Sequence, residues 1–326
     1  MGNNISAYNM HVHAFDAIWT DALCNHPYDI AFLRTVMGID SRHRDIAQKA
    51  LEIRIRRAVL RFIPYPHISS FMLALRMHKG MIGGSVAQEI IMPAYFIDHP
   101  PRDLNLFVAR KTVRRWRSVL SNMGFHVSEG KMESRLRAEA KQVLQANMPG
   151  SEPSITITIS KTSSPIAPIL ASRYTSQFNF VTPCAIYTVF PSLTLRGITF
   201  DLSAIKCCPS KLMSKRGIHV ANKWALWPIC EEFCPLREGE VSLNKRVAGI
   251  PWTPVPLTPP EIVFGNWCPN PWCPRQKALC ARLLPPEITL ANVAHVQKRP
   301  RFEVKWLINL IIFLLALGWA YRDVSH

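Results

Sequence analysis

The sequence predicts an α+β protein. Two short runs with period-2 alternation, Asp103 to Val108 and Ser154 to Ser160, read as strands set between amphipathic helical segments. A small-residue turn, Gly83-Gly84-Ser85, stands between the first helices and the first of these strands. Beyond about residue 206 the composition shifts, and the eleven prolines of residues 251–300 exclude long helices or central strands there. The expected organisation is an N-terminal segment (1–38), a folded domain (39–205), a Pro/Cys/Trp-rich region (206–303) and an apolar helix (304–321).

The composition suits a folded chain: 326 residues, 48% of them apolar, can bury one large core or two modest ones. A net charge of +17 favours anionic partners. The excess is spread evenly, with 20 basic and 12 acidic residues in positions 1–150 against 19 and 10 afterwards, so no basic tail singles out nucleic acid. Nine cysteines, an odd number, argue against a disulfide framework. The first residues lack a basic and an apolar leader region, so a reducing, cytosol-facing location is the expectation. Gly2 and Ser6 match the acylation pattern, and Asn4-Ile5-Ser6 is a glycosylation sequon. The two modifications need opposite sides of a membrane, so at most one applies. His11, His13, Cys24 and His26 have no defensible metal-ligand spacing.

The first long helix is expected over residues 39–62, with Ser41 as N-cap and an apolar stripe through Ile46, Ala50, Ile53 and Ala58-Val59. Arg54, Arg56, Arg57 and Arg61 lie beside that stripe and read as a solvated face rather than an anion contact. Pro64 and Pro66 end the helix, and a shorter one follows over Ile68 to Arg76. The Gly83-Gly84-Ser85 turn opens a helix through Ile91; such turns expose backbone N–H groups that cradle phosphate. In the strand Asp103 to Val108, Leu104, Leu106 and Val108 share one face, and Asp103 and Asn105 share the other. Residues 109–122 make an amphipathic helix burying Val113, Trp116 and Leu120, closed by Gly124. A charged helix is expected from Glu133 to Asn147, then the strand Ser154 to Ser160, a helix from Ser164-Pro165, and strand-like runs within Phe178 to Phe190.

The order RIRRAVLRFIP, MIGGSVAQ, PRDLNLFV and a helix ending in MGF resembles the nucleotidyltransferase superfamily. It is closer still to a group of uncharacterised proteins, abundant in mushroom-forming fungi, that carry a degenerate version of that fold. SITITIS and SPIAPILASRYTSQFNFVTPCAIYTVFP agree with that group, so the resemblance spans roughly residues 45–205. It implies a small mixed sheet with flanking helices. It also implies that Gly83, Gly84 and Ser85 hold the phosphates of a nucleotide, and that carboxylates on the strands hold two Mg²⁺ ions. Asp103 matches the first carboxylate, Asn105 stands at the second, and Ser154 to Ser160 offers no third.

A carboxylate about 4 Å from a cation contributes about 4 kcal/mol per unit charge at an effective dielectric of about 20. Two missing ligands therefore weaken Mg²⁺ binding severely, unless Glu89 or Asp98 substitutes. The expectation is a catalytically silent binding protein for a nucleotide, RNA or protein partner. The alternative is an active Mg-dependent nucleotidyltransferase built on Asp103.

Cys230, Cys234, Cys268, Cys273 and Cys280 offer a donor set for structural zinc, but without a clean Cys-x2-Cys pair; reduced, buried thiols are the better reading. Residues 306–321, WLINLIIFLLALGWAY, hold nine Leu, Ile or Phe side chains and no charge before Arg322. We read residues 304–321 as a helix anchored in membrane lipid, short enough for a thin endomembrane, with a buried terminal helix as the alternative. Lys298, Arg299, Arg301 and Lys305, which precede the apolar run at Trp306, keep the folded part facing the cytosol, a tail-anchored arrangement.

Overall fold

The computed structural model describes residues 16–150, 152, 154–201, 211–221, 250–253, 261–262 and 288–289. Gly2, His11 and His13 lie outside them, as do the five cysteines considered for zinc and the segment 304–321. Among the described residues no helix is long and apolar enough to cross a membrane.

The chain is a mixed α+β protein whose sheet is larger than the small one expected. Eight strands lie in the order β10-β7-β6-β1-β2-β5-β4-β3. They are β1 (Met81–Gly83), β2 (Asp103–Val108), β3 (His126–Glu129), β4 (Ala140–Asn147), β5 (Ser154–Ser160), β6 (Phe180–Val181), β7 (Ala185–Tyr187) and β10 (Ile250–Pro251). Only β2 and β5 run parallel; the other neighbours are antiparallel. β8 (Ile198–Phe200) and β9 (His219–Ala221) form a separate parallel pair, and β11 (Glu261–Ile262) pairs with β12 (Ile288–Thr289).

Alternation sends the two faces of β1 and β2 into different surroundings. Leu106 faces Leu75 and Trp116, both of which crowd the position of Gly80. These come from helices α3 (Ile68–Met77) and α5 (Val113–Asn122); α1 (Ile30–Met37) and α2 (Ser41–Leu60) precede them, and α4 (Gly84–Ile91) lies between them. On the other face Met81 and Phe107 join a buried cluster with Ile166, Ile169, Phe178, Phe180, Tyr187 and Phe190. Three members of that cluster, Ile166, Ile169 and Leu170, lie on the short helix α6 (Ile166–Leu170).

Several local expectations change. The cap of α2 is Asp40, whose carboxylate accepts from His43 N at 2.8 Å; that bond holds its pKa below the usual value. Ile55, not Ile53, is the fully buried isoleucine of the fourth turn. Residues 133–147 are not a helix: a 3-10 turn, Ser134–Ala138, leads into β4, which is hydrogen-bonded to β3 on one side and β5 on the other.

The arginines of α2 do not form an open, solvated row. Arg54 Nη1 donates to Tyr28 O at 2.7 Å and Ile90 O at 3.3 Å, and Nη2 donates to Leu23 O at 3.4 Å. Leu23 and Ile90 sit in the last turns of two helices, where backbone carbonyls lack intrahelical partners, so one guanidinium closes both ends. Burial pulls its pKa down to about 10, which leaves it charged at neutral pH. Arg57 donates to Cys24 O and to Asn25 Oδ1, and Arg61 pairs with Glu89. Residues 16–37, expected to belong to a separate N-terminal segment, thus join this core and bury Trp19, Leu23, Ile30 and Leu33 in it.

Candidate functional site

A cavity of ≈ 300 Å³ opens on the face of the sheet that carries Asp103 and Asn105. Its floor is β2 and β5. The parallel register sets Asn105 beside Thr156 and Phe107 beside Thr158, and all four line the cavity. One wall is the start of α4, contributing Gly84, Ser85 and Gln88. Lys131, Glu133 and Leu136 come from the segment between β3 and β4. Ser172, Tyr174 and Gln177 follow α6. Leu212, Met213 and Arg216 come from α8 (Lys211–Lys215) and the residue after it, α7 being Pro191–Thr194.

The predicted turn residues thus stand together with Asp103 and Asn105. Gly83 ends β1 opposite Asn105, and Phe107 lies against it so closely that a Cβ there would be 2.6 Å from Cε2. Gly84 has φ +65°, the left-handed conformation, and a Cβ on it would stand 2.9 Å from Asn105 Nδ2. The turn therefore requires glycine for both shape and clearance. Asn105 Nδ2 donates to Asp103 Oδ2 at 2.7 Å, so an amide donor occupies one side of the carboxylate.

The proposed substitute carboxylates are elsewhere. Glu89 pairs with Arg61 and is not among the lining residues, and Asp98 is exposed in the loop before β2. Glu133, which sequence reading assigned to a helix, is the second carboxylate among the lining residues. No group of three or more His, Cys, Asp or Glu able to hold a metal ion occurs among the described residues. A pair of Mg²⁺ ions needs several anionic oxygens set close together. Two carboxylates, one of them bonded by an amide, beside two threonines and the cations Lys131 and Arg216 do not match that need.

Arg216 was not anticipated. It is 6% exposed; its Nε donates to His99 O at 2.8 Å and its Nη2 to Pro100 O at 3.3 Å, while its guanidinium lies 4.5 Å from the centre of the Phe96 ring. Burial lowers its pKa, and the negative charges of Glu89 and Asp103 act in the opposite sense. No motif marks it, because it lies more than a hundred residues from the turn it faces. Gln88, one turn along α4 from Ser85, is 1% exposed and its Nε2 has no hydrogen-bond partner. A buried donor without an acceptor is costly, and here it borders a cavity.

A second cleft, ≈ 500 Å³, is lined by Arg110, Lys111, Arg114 and Lys161 with Thr162 and Ser163. The fold gathers these cations from the start of α5 and the end of β5, a clustering invisible in the even spread of charge along the chain. Comparison with protein-family models, with curated proteins and with solved structures finds no match to the chain.

Proposed function

We propose that this protein is a catalytically silent, nucleotidyltransferase-like binding protein whose ligand is a nucleotide held in the cavity beside Gly84 and Ser85. The observation that carries the reading is the replacement of a carboxylate set by the Asp103–Asn105 hydrogen bond at the foot of a glycine turn. The order turn, helix α4, β2 and a parallel β5 supports the fold resemblance. The competing reading is Mg-dependent nucleotidyl transfer by Asp103 with a substitute carboxylate, for which Glu133 is the nearest candidate.

Calorimetric titration with nucleoside triphosphates, with and without Mg²⁺, separates these readings. Binding without turnover is expected. Metal-dependent product formation abolished by Asp103→Ala would establish the enzyme, and the absence of any heat would remove the nucleotide. A second reading, an RNA partner, is favoured by the four-cation cleft. It predicts binding of a single-stranded RNA that weakens steeply with salt. Residues 304–321 complete the reading as an anchor in an endomembrane. The expressed chain is expected to sediment with membranes, and its recovery in a detergent-free supernatant would exclude the anchor.

A further inference from the structure

We propose that Arg216 stands in for a divalent cation in this cavity, so that the site binds a nucleoside phosphate without magnesium. The inference rests on the nucleotide reading above and adds how the phosphate is held. The loop carbonyls of His99 and Pro100 take Nε and Nη2 of Arg216, which fixes the guanidinium beside the strand that begins at Asp103 and leaves Nη1 for a ligand.

Other donors line the same cavity. α4 starts at Gly84 with no side-chain cap on its first N–H groups, Ser85 follows, and the buried Gln88 Nε2 lacks an acceptor. Lys131 adds a second positive charge to the lining. Donors converging from a helix start, a buried amide and a guanidinium fit the oxygens of a phosphate group. A divalent ion would instead share the cavity with two fixed cations, Lys131 and Arg216, whose charges offset those of Asp103 and Glu133.

The test uses the full chain and adenosine triphosphate as probe, titrated in EDTA and in Mg²⁺, with tripolyphosphate and adenosine as further arms. Affinity in EDTA should be within about twofold of that in Mg²⁺, and tripolyphosphate should compete while adenosine binds far more weakly. Arg216→Gln should weaken binding in EDTA about tenfold or more, and Arg216→Lys less. Because Arg216 also ties down a loop, Asp103→Asn provides a variant that leaves that tie intact. If the cation is Arg216, removing a negative charge beside the phosphate leaves affinity unchanged or raises it; if the cation is a bound metal, affinity falls.

Binding that needs Mg²⁺, survives Arg216→Gln and weakens with Asp103→Asn overturns the inference and leaves the nucleotide reading standing. Adenosine binding as tightly as the triphosphate overturns the phosphate assignment. Failure of every probe overturns both readings.

Discussion

Trp116→Ala should lower the unfolding free energy by about 3–5 kcal/mol, the largest loss expected from any single side chain here. Trp116 is 0% exposed and stands edge-on to Phe71, with ring centres 5.8 Å apart, and to His78 at 6.0 Å. Its Cζ2 reaches to where a Cβ on Gly80 would be only 2.6 Å away, so the indole fills the space between α3, α5 and the chain entering β1. Truncation leaves a cavity that helices fixed by the sheet cannot collapse into. The indole Nε1 has no partner, so Trp116→Phe sacrifices no hydrogen bond and should cost less than half as much. Urea unfolding with an unchanged slope checks both; an alanine variant within about 1 kcal/mol of the native protein contradicts the packing argument.

Gly84→Ala should cost about 2–3 kcal/mol and weaken nucleotide binding at the same time. An alanine held at φ +65° pays about 1–2 kcal/mol in backbone conformation. The new Cβ would also meet Asn105 Nδ2 at 2.9 Å, and moving that amide gives up its 2.7 Å bond to Asp103, worth about 1 kcal/mol more. Gly124 provides the comparison. It has φ +88° with nothing within 4 Å of its Cβ position, so Gly124→Ala pays the conformational cost alone. Equal losses in the two variants, with nucleotide affinity untouched, would show that the Asn105 contact carries no weight.

Sequence reading serves best where local pattern and tertiary surroundings agree. The bounds of β2 and β5, the helix opened by Gly84, and the burial of Trp116 and Leu120 follow from alternation, glycine and spacing. The stretch from Glu133 to Asn147 misleads for a definite reason. The register of β4 shifts between Ala140 and Gln142, and the irregularity puts the buried Ala140, Val143 and Leu144 at helical spacing. Strong helix formers complete the disguise, and the hydrogen bonds of β3 and β5 override them. At the site, the turn and the Asp103–Asn105 pair were legible because they lie within one short stretch. Arg216 was not, since a single arginine acquires its place only when the chain after α8 is brought against the loop carbonyls of His99 and Pro100. Nor was Arg54 of α2, whose partners are backbone carbonyls and carry no residue-type signature.

The hydrogen bonds of Arg54 bear on modularity. A boundary at residue 38 would separate a helix from the side chain that closes it, because the cation at the end of residues 16–25 belongs to α2. The same cation closes α4, the helix that begins at the glycine turn. Inheritance of the turn as a unit therefore extends backwards past its own motif. A chain that exchanged its first forty residues would keep Arg54 and its hold on α4, but the guanidinium would lose the carbonyls of Leu23 and Tyr28.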